Sequence, residues 1–263
     1  MLSEQQIDRA AKHLLAARVS HTPGPCIPEA FRPADTDSAL AIQERVLELL
    51  AQPIGGWKCG VPNPNTGPIV AAIPASAILA SSPCRVPGAK GLIEPEIAFA
   101  IAHDLPPRDT PYGENEIRAA IREAHLVLEL ITTRYADKAS ATPPEILADS
   151  FNNHGLLVGP VIPNVLDHPL EKLQVRITTA AGTLFDRVQG HPSGHPMKAF
   201  SWLVNFLNGR GEGLKAGQVV TTGSYAGIVE APLHTPIHVE VGVEFGPLGN
   251  LGKLDVELLT ETP

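Results

Sequence analysis

The segment Gly91-Leu-Ile-Glu-Pro-Glu-Ile-Ala-Phe-Ala-Ile-Ala102 constrains this chain more than any other, because it sets two carboxylates into a run that otherwise reads as a buried strand. Side chains alternate along a strand, so Glu94 and Glu96 share one face while Ile93, Pro95 and Ile97 share the other. Two like charges on one face repel. A hard divalent cation relieves the repulsion, since it takes carboxylate oxygens and keeps positions for water or substrate; a solvated outer face does so too. Pro95, confined to edges and special positions, fits either arrangement. A second strand narrows the choice. In His125-Leu-Val-Leu-Glu-Leu-Ile-Thr-Thr133, Leu126, Leu128 and Leu130 form one face and Val127, Glu129 and Ile131 the other. Burying an unpaired charge is costly, and one cation shared by Glu94, Glu96 and Glu129 explains all three together.

The chain has 263 residues, 43% of them hydrophobic, enough for a substantial core in one large domain or two small ones. Lys+Arg 20 against Asp+Glu 28 gives a net charge of −8, which argues against nucleic acid or an anionic membrane as the main partner and for a small molecule or another subunit. No apolar run approaches the roughly 20 residues of a membrane span, and Met1-Leu-Ser-Glu-Gln-Gln6 opens directly into an amphipathic pattern, so a cytoplasmic location is expected. Cys26, Cys59 and Cys84 are odd in number and form no CxxC pair; they read as packing residues.

An N-terminal helical part is expected over residues 1–52, from a helix at Ser3 to Val19 and a second from Asp35 or Asp37 to before Pro53, ahead of a main domain over 53–263. Pro53-Ile-Gly-Gly-Trp-Lys-Cys-Gly60 then presents Lys58 in glycine-rich, apolar surroundings, where partial burial lowers a lysine pKa and suits it to acid/base work. The alternative is a surface lysine beside Trp57. Gly113 to Ala124 reads as a helix, followed by the Glu129 strand. In Asp149-Ser-Phe-Asn-Asn-His-Gly155, Asp149, Asn152 and Asn153 read equally as site residues and as turn residues. A hairpin at Ala181-Gly182, a helix over Met197 to Leu207, and strands at Pro236 to Val241, Val243 to Phe245 and Gly252 to Leu259 follow. The Gly/Ser-rich passage after Val219 offers hydroxyls and amides to an anion, or is an ordinary strand end.

Gly56-Trp-Lys-Cys-Gly60, Ile93-Glu-Pro-Glu-Ile-Ala-Phe99, His125 to Glu129 with Arg134 and Asp137, Ala148-Asp149, His195-Pro196 with Trp202 to Asn205, and Gly217 to Ser224 occur here in one order. In that order the chain resembles the fumarylacetoacetate hydrolase superfamily, in its branch of 2-keto-4-pentenoate hydratases and 4-oxalocrotonate decarboxylases. The resemblance implies an α+β fold, a mixed β-roll or distorted β-barrel with a small N-terminal helical part. It implies Mg²⁺ or Mn²⁺ on Glu94, Glu96 and Glu129, substrate contact by Lys58, and a substrate carboxylate on Thr222, Gly223 and Ser224. Where the branch has an acidic residue in a Pro-Asp-Tyr-Gly-like loop, this chain has Pro64-Asn65-Thr66-Gly67, and an amide is no acid/base group. Leu92-Ile93 precede Glu94 where the hydrolytic branch places a His, which favours addition or decarboxylation over hydrolysis.

The expected activity is that of a metal-dependent hydratase in aromatic-compound catabolism, adding water to a 2-hydroxy-2,4-dienoate to give a 4-hydroxy-2-oxo acid. Lys58 is the expected proton carrier and Asp149 the second candidate. A 2-oxo acid decarboxylase comes next, then a C–C hydrolase, then a non-catalytic partner subunit. The expected partners are a small 2-oxo or 2-hydroxydienoic acid, further copies of the chain, and a decarboxylase or hydratase subunit.

Overall fold

A computed structural model describes residues 1–63, 67–243 and 249–261. Helix α1 (Glu4–Val19) starts where Ser3 and Gln6 cap each other reciprocally. Asp35 caps α2 (Thr36–Leu50) by accepting from the Ser38 N–H. Strands β1 (Ile54–Asn63), β2 (Gly67–Pro74), β3 (Ile78–Leu79), β4 (Cys84–Val86) and β5 (Gly91–Ile101) follow, then α3 (Glu114–Ala119) and β6 (Ile121–Ile131). After α4 (Pro143–Ala148) come β7 (Asn153–Val161), β8 (Lys172–Thr179), β9 (Gly182–Gly190) and α5 (Pro196–Gly209). Strands β10 (Val219–Ser224), β11 (Val229–Ala231), β12 (Pro236–Gly242) and β13 (Asn250–Thr260) complete the described fold.

Two mixed sheets make up this α+β roll. The larger runs β2-β1-β10-β5-β6-β7-β3, with β11 also paired to β5; the smaller runs β4-β13-β12-β8-β9. In the larger sheet β1 lies parallel to β10, and β5 is antiparallel to β10 and to β6. Helix α5 packs on β1 and β10, and its Phe200 ring lies 5.3 Å from that of Phe99 on β5. Helices α1 and α2 pack on each other, and α2 packs on α4 and β2.

Three local expectations are corrected. Residues 54–60, read as a glycine-rich passage, form β1, with glycines where the backbone is crowded. A Cβ on Gly56 would stand 2.3 Å from the Val219 carbonyl oxygen, and one on Gly55 would stand 2.6 Å from Ala75 Cα. The helix expected to reach Ala124 stops at Ala119, because Ile121, Glu123 and Ala124 pair with Ile101, Ala100 and Phe99 of β5. Ile121 and Ala124 fit a helical or an extended period, and the neighbouring strand decides. Strand β12 ends at Gly242, so Val243 is not in a strand, and Glu244 and Phe245 lie outside the described residues.

Candidate active site

Antiparallel pairing places Glu94 of β5 directly opposite Glu129 of β6, on one face of the sheet, with Glu96 two residues along β5 on that same face. The three carboxylates offer oxygens that all lie within 4.8 Å of one another. Lys58 arrives from β1, in register with Thr221 of β10, which is in turn in register with Ala98 of β5. Its ammonium lies 2.9 Å from Glu129 Oε2 and 3.6 Å from Glu94 Oε2, and 3.5 Å from the Phe151 carbonyl oxygen. Apart from the 2.9 Å ion pair with Lys58, Glu129 Oε2 has no partner among the described residues.

Each buried glutamate is held by one oxygen and presents the other. Glu129 Oε1 accepts from Asn153 Nδ2 at 2.7 Å. Glu96 Oε2 accepts from the Thr221 hydroxyl and from the Gly223 N–H, while Glu96 Oε1 is buried with no hydrogen-bond partner among the described residues. Buried polar atoms in proteins are nearly always satisfied, so Glu96 Oε1 needs an explanation. When ionised, the three carboxylates exceed the one ammonium by two negative charges. Unfilled oxygens and excess charge together fit a divalent, oxygen-preferring cation on Glu94, Glu96 and Glu129.

Burial raises Glu96 to about 8, helped by the charges of Glu129 and Glu94. Burial likewise raises Glu129, against the pull of Lys58. Burial alone would lower the Lys58 pKa, the shift expected from its sequence surroundings. The charges of Glu129, Glu94 and Glu96 outweigh burial and raise it above the ordinary lysine value. Lys58 is thus held as an ammonium, a correction that follows from the company it keeps.

The segment after α4 is bent sharply to serve this cluster. Ser150, Phe151 and Asn152 are consecutive left-handed residues, at φ 52°, 51° and 62°, and none is glycine. Such a conformation costs about 1–2 kcal/mol per ordinary residue. Arg134 and Asp149 hold it in place. Asp149 Oδ2 accepts from the Arg134 N–H at 3.0 Å and Oδ1 from Arg134 Nε, and Arg134 Nη2 donates to the Asp149 carbonyl at 2.6 Å. Arg134 Nη1 also donates to the Asn153 carbonyl at 2.9 Å. The result aims the Phe151 carbonyl at Lys58 and the Asn153 amide at Glu129.

A cavity of about 520 Å³ opens beside the cluster, lined by Lys58, Glu94, Glu96 and Asn152 and by an apolar wall that includes Ile131 and Phe151. Thr222, Gly223 and Ser224 line it too, yet their donors serve β5. The Thr222 hydroxyl donates to the Ile97 carbonyl, the Gly223 N–H to Glu96 and the Ser224 hydroxyl to the Pro95 carbonyl. Asp149 is buried on Arg134 and does not line the cavity. Asn65 lies outside the described residues. Sequence reasoning passed over Thr221, although alternation along β10 puts it beside Lys58 and on the carboxylate face.

No family model matches the chain. Among solved structures, 4-oxalocrotonate decarboxylase from Pseudomonas putida G7, complexed with magnesium and adipate, is similar at a TM-score of 0.78. Its identity is 18%, over 98% of this chain and 99% of that one. A yeast protein of the fumarylacetoacetate hydrolase family is similar at 0.53, with 16% identity over 78% of this chain and 92% of its own. The 2-hydroxyhepta-2,4-diene-1,7-dioate isomerase from Mycobacterium marinum is similar at 0.53, with 16% identity over 81% and 78%. At such identities the likeness carries the fold, and the fold of this chain is that of the fumarylacetoacetate hydrolase family.

Proposed function

We propose that the chain is a divalent-metal-dependent lyase for conjugated 2-oxo acids, and that it removes CO₂ from a vinylogous 2-oxo diacid. The observation that carries this reading is the company of the metal-type cluster. A buried, protonated Lys58 stands against it, and no histidine or aspartate lines the cavity among the described residues. Activating water takes a free base, and Asp149, the other candidate, is engaged by Arg134. Decarboxylation takes an electron sink and a proton donor. The similar decarboxylase is described with magnesium and a dicarboxylate, and here Lys138 on the cavity wall offers a cation to a second carboxylate.

Glu94, Glu96 and Glu129 would hold Mg²⁺ or Mn²⁺, which when bound polarises the oxygens of a 2-oxo carboxylate. The chain's own groups do the rest. The bond to the leaving carboxylate breaks, and its electron pair passes through the conjugated chain to the 2-oxygen. Lys58 supplies the proton that makes the product a 2-hydroxydienoate. The apolar wall limits water around the developing charge.

Hydration of that dienoate, the activity expected from the sequence, is the second reading. Val61 and Ile228, 36% and 47% exposed, line the cavity and leave it open to water. Turnover of 2-oxohex-3-enedioate and, separately, of 2-hydroxypenta-2,4-dienoate by the chain alone, with Mg²⁺ in ¹⁸O-labelled water, separates the two. CO₂ release without label at C4 is expected. Label at the 4-hydroxyl of the product from the dienoate, without CO₂ release from the diacid, would move the activity to hydratase, and no turnover of either acid would leave a partner subunit.

A further inference from the structure

We infer that Asn152 binds ligand in this cavity, by accepting a hydrogen bond from the 2-hydroxyl of a 2-hydroxy acid. The inference rests on the reading of the cavity as a metal-dependent 2-oxo acid site and adds which form of the acid is recognised there.

Asn152 sits at the end of the left-handed run, between two residues whose polar groups already serve the cluster: Phe151 through its carbonyl and Asn153 through its amide. Its own backbone is fully used, with the N–H donating to the Asp149 carbonyl at 3.0 Å and the carbonyl accepting from the Thr132 N–H at 2.9 Å. Its side chain is not. The residue is only 6% exposed, lines the cavity, and keeps Oδ1 buried without a hydrogen-bond partner among the described residues. Strain held in place by a buried ion pair, with an unmatched acceptor at its tip, is the pattern of a binding residue rather than of a turn.

The chemistry of the neighbours narrows what can fill that acceptor. An amide oxygen requires a donor. The Lys58 ammonium faces Glu129, Glu94 and the Phe151 carbonyl. The hydroxyls of Thr222 and Ser224 donate to carbonyls of β5. None of the described residues donates to Asn152 Oδ1, so a donor carried by the ligand is what fills it. An ionised carboxylate and a 2-oxo group have none to offer, whereas the hydroxyl of a 2-hydroxy acid or of a 2-hydroxydienoate has one. At Oδ1 the hydroxy form of the acid gains a hydrogen bond that the oxo form of the same acid lacks, and this is the preference we assign to the cavity.

A matched pair of ligands tests this. With Mg²⁺-loaded full chain, affinities for 2-hydroxybutyrate (each enantiomer) and 2-oxobutyrate are measured by ligand-observed NMR for the parent and for Asn152→Gly. Glycine deletes the amide and relaxes a backbone at φ 62°, so folding is not the obstacle. The variant should bind the preferred 2-hydroxybutyrate enantiomer about tenfold more weakly, the worth of one hydrogen bond. Its affinities for 2-oxobutyrate and for Mg²⁺ should stay within about twofold of the parent on the same hydrogen-bond argument. An unchanged preference, or parallel loss of both acids or of Mg²⁺, overturns the inference while the metal site stands. A parent that binds neither acid with Mg²⁺ overturns the reading of the cavity as well.

Discussion

Glu94 and Glu129 face each other as register partners on antiparallel β5 and β6, with the Lys58 ammonium 2.9 Å from one and 3.6 Å from the other. Like charges opposite each other weaken a sheet. Here the opposition is kept, and Glu96 adds a third carboxylate that the lysine cannot balance.

Metal binding should be the direct expression of this arrangement. Mg²⁺ or Mn²⁺ titrated by calorimetry should bind the parent at one site, and Glu129→Gln should weaken it by at least about 1 kcal/mol, because an anionic oxygen ligand is lost. Equal affinity in the Gln protein would dissolve the shared site.

Without metal, stability should depend on pH in an unusual direction. Glu96 and Glu129 are raised in the fold, so their contribution is complete below the ordinary glutamate value and is lost as pH climbs through the folded values, about 8 for Glu96. His191, lowered to about 4 by burial, acts oppositely, but its change is complete above its ordinary value of 6.5. Lys58, raised, changes nothing until far higher pH. Melting temperatures in chelator should therefore fall between pH 6.5 and 8, and excess Mg²⁺ should remove the fall. A flat curve in chelator would contradict the burial of these carboxylates.

Lys58→Met should separate chemistry from structure. Turnover should drop by roughly 10² to 10⁴, as for a lost proton donor. The metal-free protein should also lose about 3 kcal/mol, since the mutation leaves Glu129 buried without its ion pair, and Mg²⁺ should restore most of it. Parental turnover in the Met protein would remove Lys58 from the reaction.

Asp149→Asn probes the latch. If Asp149 works through Arg134, the variant should lose about 3 kcal/mol in denaturant melts. The alkaline and acid limbs of the pH–rate profile should keep their positions. Intact stability with a missing limb would instead make Asp149 an acid/base group.

Much of this site was readable because alternation along a strand is a strong rule. Glu94, Glu96 and Glu129 declare a common face through the leucines and isoleucines around them. Lys58 was legible as a residue, but its strand was not, since Gly55, Gly56 and Gly60 mimic a loop and are explained only by the backbone of Val219 and Ala75 and the side chain of Ile69. Its charge state is hidden for a related reason: burial is visible in sequence, while the approach of Lys58 to the three carboxylates of two other strands is not. Thr222, Gly223 and Ser224 line the cavity, but their donors turn to β5, a detail fixed by the register shift between Thr221 and Ser224. No pattern in Ser150-Phe-Asn152 announces three left-handed residues, because the latch that holds them starts at Arg134.

The pairing of β1 with β10 joins Lys58 to Thr221 across most of the chain. A site assembled from such distant segments completes itself late in folding, since loop closure must precede the contacts that reward it. The cation's ligand Glu96 is oriented by Thr221 and Gly223 of β10, so the cation's place is complete only after that distant strand has joined β5. Its stabilisation should then appear in the unfolding rate, which slows as Mg²⁺ is added, while the refolding rate stays where the bare polypeptide sets it.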